Sequence, residues 1–329
     1  MLKRPLGNTG LNIAPLVFGG NVFGWTLSEK TSFAVLDAFV DHGFNAIDTA
    51  DVYSAWAPGN AGGESETIIG RWFQQRPGMR DKVTLFTKVG SQMGSPEKKG
   101  LSKRWILQAV EDSLSRLQTD HIDLYFSHWP DPQTPHEETL SAYADLRSAG
   151  KINAIGASNY DAKLLSAALK AARAHDLPAY QAIQPEYNLY DRASFEGELR
   201  DLCIAENIGV VTYYSLASGF LSGKYRSEAD LGSSKRGKGV GKYLNDKGLR
   251  LLAALDSVAA DHAAKPAEVA LAWLIASRGV TAPIASATSV EQVVSCAGSD
   301  AFRAPTKYDK LVNCSEPHPE TGSHPSVAW

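Results

Sequence analysis

Val83-Thr84-Leu85-Phe86-Thr87-Lys88 and Ile122-Asp123-Leu124-Tyr125-Phe126 bracket a stretch in which Ser102 is followed by Ile106, Ala109, Val110, Leu114 and Leu117. The outer words are short, apolar and rich in β-branched and aromatic residues, so they predict strands. The middle stretch carries its apolar residues at helical spacing behind a serine suited to capping, so it predicts a helix. A helix between two strands of one sheet makes them parallel, because a crossover returns the chain to the same end.

The same unit recurs on both sides. Toward the N-terminus, residues 44–48 predict a strand, and Ile68, Ile69, Trp72 and Phe73 share a helical face. Before them, Thr31 is the expected cap of a helix carrying Phe33, Leu36, Phe39 and Val40, stopped by Gly43. Pro15-Leu16-Val17-Phe18-Gly19-Gly20 predicts a buried strand, and Gly7-Asn8-Thr9-Gly10 the turn of a small hairpin. Toward the C-terminus, strands are expected at 152–157, 182–184, 209–213 and 280–285. The helical faces between and after them are Leu140, Tyr143, Ala144 and Leu146; Leu164, Leu165, Ala168, Leu169 and Ala172; Leu199, Leu202 and Cys203; Leu252, Leu255 and Val258; and Val290, Val293 and Val294. Pro266 fits the first position of one more helix, with Val269, Ala270, Trp273 and Leu274. Residues 222–241 read as a polar, glycine-rich loop.

Eight strand–helix units in 329 residues predict an α/β fold, a (β/α)8 TIM barrel, with the N-terminal hairpin closing its bottom. One barrel domain over 1–329 is expected, with an atypical, irregular tail over about 302–329. A doubly wound sheet would open with a G-x-G-x-x-G turn. Gly19-Gly20 does not supply one, and Gly237-Lys238-Gly239-Val240-Gly241 has no strand before it.

Composition narrows the class. Apolar residues are 43% and charged residues 21%, enough to build a core. Net charge is −3, which offers no general field for nucleic acid or an anionic membrane. The apolar run at 269–276 is far shorter than the ~20 residues of a membrane span, and no signal peptide is apparent. Cys203, Cys296 and Cys314 are widely spaced, so neither a disulfide framework nor a cysteine-rich zinc site is expected. A soluble, cytoplasmic protein is the expectation.

Barrel chemistry sits at the C-terminal ends of the strands. There the sequence places Asp48, Tyr53 in the following loop, Lys88, and His128. Singly, each has an ordinary structural reading: a cap, a rim aromatic, a solvated lysine, a packed histidine. Together they make a proton-handling set. Lys88 ends an apolar strand and needs a partner, and Asp48 is one strand away. A cation beside Tyr53 is expected to lower the phenol below its usual ~10. Tyr53 would then be a general acid, with His128 bonding the same substrate atom.

The order Asp48, Tyr53, Lys88, His128 resembles the catalytic tetrad of the aldo-keto reductases. Further words agree: Gly43-Phe44-Asn45-Ala46-Ile47-Asp48-Thr49-Ala50-Asp51-Val52-Tyr53, Gly63-Glu64-Ser65-Glu66, Thr87-Lys88-Val89-Gly90, Gly156-Ala157-Ser158-Asn159, Gln184-Pro185-Glu186-Tyr187-Asn188 and Tyr214-Ser215-Leu216-Ala217. The closest branch is the longer bacterial and plant type, which is also similar to potassium-channel β-subunits. The resemblance implies a barrel reductase that binds a nicotinamide dinucleotide across its mouth without a Rossmann fold. It places the carboxamide on Ser158, Asn159 and Gln184 and the nicotinamide ring on Tyr214. It puts the pyrophosphate among Ser215, Leu216, Ala217, Gly219 and Lys224. Gly20, Asn21, Asp48, Arg236, Ser286, Thr288 and Gln292 complete the implied cofactor set.

The adenosine segment departs from the family pattern. Thr288 stands where many relatives carry a basic residue, and Ser295-Cys296 replaces a Glu-Asn pair. Lys235, Arg236, Lys238 and Lys242 are the alternative clamp for a 2′-phosphate, so NADPH is expected and NADH is possible. Val22, Phe23, Trp25, Trp56 and Trp129 are the expected substrate contacts, suited to an apolar or amphipathic carbonyl compound. The expected reaction is NADPH-dependent reduction of an aldehyde or ketone, with no metal. Alternatives are an NAD-linked sugar or alcohol dehydrogenase of the same fold, or a cofactor-binding regulatory protein of the channel β-subunit type. A metal-dependent hydrolase fits poorly, because the histidines form no H-x-H or H-E-x-x-H. One basic loop, 235–247, is a weak footprint for nucleic acid.

Overall fold

In the computed structural model, which describes residues 2–298, eight parallel strands close into a barrel. They are β3 (Val17–Gly19), β4 (Ala46–Asp48), β5 (Thr84–Val89), β6 (Ile122–Ser127), β7 (Ile152–Ser158), β8 (Ala182–Gln184), β9 (Gly209–Thr212) and β10 (Ala282–Ala285). Each pairs with its sequence neighbour, and β10 pairs with β3 to shut the ring. The eight expected strands are these eight. The tail expected to be irregular, about 302–329, lies outside the described residues.

The hairpin is β1 (Arg4–Pro5) paired antiparallel with β2 (Asn12–Ile13). It plugs the bottom by burying Leu6 and Ile13 among Val17, Ala46, Leu124 and Val211. Backbones touch there: a side chain at Gly7 would sit 2.2 Å from the Gly209 amide, which opens β9.

Helices cover the outside: α1 (Glu29–Asp41), α2 (Glu64–Gln75), α3 (Lys103–Leu117), α4 (His136–Ser148), α5 (Ala162–Ala174), α6 (Glu198–Ala205), α7 (Asp246–Asp261), α8 (Pro266–Ala276) and α9 (Val290–Gly298). Ser102 caps α3, accepting from the Trp105 amide, and Pro266 opens α8, as expected. The cap of α1 is corrected from Thr31 to Ser28, whose hydroxyl accepts from the Thr31 amide. Ser28 sits in extended backbone three residues earlier, which leaves Thr31 inside the first turn. The polar loop 222–241 is more ordered than its composition suggests. It contains short 3-10 turns at Glu228–Ser233 and Gly237–Gly239, and Tyr225 and Val240 are fully buried.

Strand alternation positions the site. In β5, Phe86 faces the barrel interior, and Leu85 and Val89 face the helices. The same parity puts Ala46, Phe86, Leu124, Phe126, Ala154, Ala182, Val211 and Ile284 inside as a packed layer. Two residues on, it brings Asp48, Lys88, His128, Gln184 and Ser286 to the C-terminal rim. Gly156 is small for a reason: a side chain there would lie 2.4 Å from the Phe126 ring.

Candidate active site

Lys88 is completely buried, and its Nζ makes three contacts. It donates to Asp48 Oδ2 at 2.7 Å, to the Thr49 carbonyl at 2.7 Å and to the Tyr53 hydroxyl at 3.2 Å. Asp48 is held from its other side, where Gln184 Nε2 donates to Oδ1 at 2.8 Å. Burial alone would push the Lys88 ammonium down; the Asp48 carboxylate and hydrogen bonds to Asp48 and the Tyr53 hydroxyl hold it above its usual range. The ion pair is therefore fully desolvated and fully bonded, the condition under which a buried pair persists.

Tyr53 corrects one expectation. Its hydroxyl is held above the usual phenol range, not below it. Burial is the largest cause; Lys88 acts in the opposite direction, and Asp48 offsets part of that. Tyr53 therefore keeps its proton at neutral pH. His128 is buried as well, and burial, followed by the Lys88 charge, holds it well below the usual imidazole range. It is a neutral imidazole whose Nδ1 meets the Ser91 hydroxyl at 3.1 Å. The Tyr53 and His128 rings lie 5.9 Å apart.

The loop bearing Tyr53 is pinned by residues to which the sequence analysis gave no role. The Glu64 carboxylate accepts from the amides of Ser54, Ala61 and Gly62. Asn60 Nδ2 donates to the carbonyls of Gly24 and Ser54 at 2.8 and 3.0 Å. Beside Lys88, Thr87 donates to the buried Glu66 at 2.5 Å, and Arg116 donates to the same carboxylate at 2.7 Å. Glu64 and Glu66 stand in the quoted word Gly63-Glu64-Ser65-Glu66, which was the available signal. Ser91 had none.

The expected carboxamide set converges beside the tetrad. Ser158 donates to the Gln184 carbonyl at 2.9 Å, and Asn159 Nδ2 donates to the His128 carbonyl at 2.9 Å. The Tyr213 hydroxyl, not anticipated, donates to Asn159 Oδ1 at 2.7 Å. Tyr214 is half exposed. After it, Ala217, Ser218 and Gly219 take positive φ in a tight left-handed turn, with exposed Lys224 beside Gly219. Gly20 is buried and Leu216 half-buried. Ala217 is fully buried and the Ser215 hydroxyl donates inward to the Thr212 carbonyl. Their buried side chains support the turn, which leaves their backbone for the close approach expected there.

Arg236, Asn21 and Ser286 come together from three segments. Arg236 Nη2 donates to Asn21 Oδ1 at 3.1 Å, and Ser286 donates to the same oxygen at 2.7 Å. Thr288 and Gln292 are exposed and bond to each other. Lys235 Nζ donates to the Trp25 carbonyl, and Lys242 lies over the Tyr243 ring; the side chain of Lys238 lies outside what is described. This donor set, with Lys224 beside the left-handed turn, Arg236 against Asn21, a half-exposed Tyr214 and a cluster of amides, fits a phosphorylated dinucleotide.

The rim is aromatic on two sides. Trp56 stands edge-on to Tyr53 at 5.4 Å and to Trp25 at 5.8 Å, and Trp129 stacks on His128 at 5.8 Å. Trp56 and Trp129 are about half exposed. Val22 and Phe23 are corrections: both have no exposed surface, and Phe23 stacks on Phe18 in the core. An apolar word next to a glycine turn reads alike whether it lines a mouth or packs beneath one.

Comparison with known proteins agrees with the geometry. The family model described as the aldo/keto reductase family matches residues 15–308. The chain is 34% identical to the uncharacterized oxidoreductase YrpG of Bacillus subtilis over 98% of both chains. It is 32% identical to a probable voltage-gated potassium channel subunit beta of Arabidopsis thaliana over 89% of each. Identity to protein tas of Escherichia coli is 31%, over 89% of this chain and 91% of that one. A closed eight-stranded barrel, a buried lysine–aspartate pair at its mouth and a family match over most of the chain lead to one conclusion: the protein belongs to the aldo/keto reductase family.

Proposed function

We propose that this chain, acting as one barrel domain, is an NADPH-dependent carbonyl reductase with Tyr53 as its general acid. The observation that carries this reading is the bonding of Lys88 Nζ to Asp48, to the Thr49 carbonyl and to the Tyr53 hydroxyl at once. A bound nicotinamide supplies hydride to the carbonyl carbon. The protein handles the oxygen. As negative charge grows there, Tyr53 transfers its proton and becomes a phenolate facing the Lys88 ammonium. Burial keeps the proton on Tyr53 until that moment, and Lys88 stabilises what is left afterward. Neutral His128 orients the carbonyl oxygen by a hydrogen bond and adds no charge to the mouth. Asp48 holds Lys88 in place, and Gln184 holds Asp48. Alcohol oxidation, the reverse direction, uses the same groups.

In this proposal Ser158, Asn159 and Gln184 read the nicotinamide carboxamide, Tyr214 stacks on the ring, Lys224 meets the pyrophosphate and Arg236 the 2′-phosphate. Arg236 reaches the mouth from a loop whose buried Tyr225 and Val240 anchor it. That anchoring favours NADPH over NADH, since a pre-placed guanidinium costs less ordering entropy on binding. Trp25, Trp56 and Trp129 form the walls for an apolar carbonyl compound.

The test is consumption of NADPH by the purified protein with 4-nitrobenzaldehyde, followed by absorbance and by isolation of the alcohol. Stoichiometric alcohol supports the reading. Tight NADPH binding without turnover of a panel of aldehydes and ketones would replace it with a cofactor-binding regulatory role.

A further inference from the structure

His128 has two ring nitrogens, and among the described residues only one of them is bonded. Nδ1 meets the Ser91 hydroxyl at 3.1 Å. Nε2 has no partner, and it is not among the buried atoms left unpartnered, so it keeps open surface. The ring stands 5.9 Å from the Tyr53 ring and stacks on half-exposed Trp129. The Ser91 hydroxyl likewise bonds to no other described residue. Backbone bonds set this contact up. Val89 of β5 pairs in register with Ser127 of β6, and the His128 amide extends the pairing by donating to the Val89 carbonyl at 2.8 Å. Gly90 then turns the chain at a φ of 121°, where a side chain would lie 3.1 Å from Leu101, and the Gly100 amide holds the Gly90 carbonyl at 3.0 Å. Ser91 is thus placed beside His128 by main-chain bonds, not by its own side chain.

We propose that Ser91 is a positioning residue that fixes the tautomer of His128: its hydroxyl donates to Nδ1 and so keeps the single imidazole proton on Nε2. The inference deepens the reductase reading and rests on it. A neutral imidazole has one N–H and one bare nitrogen, and the partner of one nitrogen decides the state of the other. Were the proton on Nδ1, the Ser91 oxygen would accept it, and the hydroxyl proton would have no acceptor among the described residues. Nε2 would then turn a lone pair toward the oxygen of a carbonyl substrate, and the repulsion would grow as that oxygen gained charge. With Ser91 as donor, its proton is placed, Nδ1 is met, and Nε2 presents an N–H. The substrate oxygen then receives two donors, the Tyr53 hydroxyl and the His128 Nε2.

A selector is needed because the ring carries one proton only. Burial and then the Lys88 charge hold His128 neutral. An imidazolium would donate from both nitrogens whatever Ser91 did; a neutral ring donates toward the substrate only if the other nitrogen is held as an acceptor.

The experiment is nitrogen NMR of the intact protein labelled with ¹⁵N at its eight histidines, at about pH 8, where an ordinary imidazole is neutral too. The His128 signals are identified by their loss in His128→Gln. Chemical shifts should show a protonated Nε2 and a bare Nδ1. In Ser91→Ala both signals should move toward values averaged over the two tautomers, and Ser91→Thr, which keeps the hydroxyl, should restore the original pair. In aldehyde reduction Ser91→Ala should lower kcat about tenfold or more, as loss of one donor to the developing oxyanion does, with Ser91→Thr recovering most of it. Added to His128→Gln, Ser91→Ala should cost less than about twofold, since its effect runs through the imidazole. A proton on Nδ1 in the unmodified protein, unchanged shifts in Ser91→Ala, or an equal loss of kcat with and without His128 would overturn the proposal. The shifts need no turnover, so the two readings are scored apart. A protein without reductase activity that holds the proton on Nε2 only when Ser91 is present contradicts the reductase reading and supports this one; an active reductase with the proton on Nδ1 does the reverse.

Discussion

The strand ends and the loop at 222–243, which bonds Asn21 and the Trp25 carbonyl, are built by different rules. At the strand ends, Asp48, Lys88 and Gln184 are buried and bonded to one another across three strands. In the loop, Lys235 and Lys242 are exposed, whereas Arg236 is drawn inward, over Trp25 and against Asn21. The first set is held by its places on the barrel strands, and both Lys88 and Gln184 lose a partner if Asp48 is removed. The second set is positioned by anchoring residues beneath it, so its charges can change without disturbing the barrel. Proton chemistry is therefore expected to be brittle, and cofactor preference adjustable.

Mutations can break that contrast. Tyr53→Phe should lower kcat for aldehyde reduction by roughly 10²–10⁴-fold, with the Kd for NADPH within about twofold, measured by steady-state kinetics and fluorescence titration. Lys88→Met should both abolish most activity and destabilise the fold by about 3–5 kcal/mol, because Asp48 is left buried and unpaired; urea unfolding measures this, and Lys88→Met/Asp48→Leu should recover part of the loss. Arg236→Ala should weaken NADPH binding by about 1.5–3 kcal/mol, the worth of a charge-assisted hydrogen bond, while NADH binding and unfolding stability stay near wild type. If Arg236→Ala unfolds the protein as readily as Lys88→Met, the contrast between the two regions fails. The smallest expected effect is at the α1 cap: Ser28→Ala should cost about 1 kcal/mol and leave kcat unaltered, whereas Thr31→Ala should do less.

Much of this was legible in the sequence because strand alternation and helical spacing are local signals. Phe86 and Lys88 differ by one strand repeat, so once Phe86 is read as interior, Lys88 must reach the mouth. The convergence of Asp48, Tyr53, Lys88 and His128 followed from the same rule and from the family words. What escaped has a different physical origin. Val22 and Phe23 were misplaced because depth below a rim depends on packing against Phe18, which is not a local property. The direction of the Tyr53 shift was missed because the sequence shows the neighbouring cation but not the burial that outweighs it. Ser91, Asn60 and Tyr213 act through single hydrogen bonds between loops distant in sequence, and no spacing encodes those.

The central claim is that burial keeps Tyr53 protonated and His128 neutral, so that the tyrosine donates the proton. The pH dependence of kcat/KM for NADPH-linked aldehyde reduction tests it most directly. With the Tyr53 hydroxyl held above its usual range and the His128 imidazole well below its own, no essential group changes charge between about pH 7 and 9. The rate should be level across that interval and fall only beyond it, and Tyr53→Phe should remove the alkaline limb. A bell-shaped profile with an inflection inside the interval would contradict the account and move the proton donor to another group.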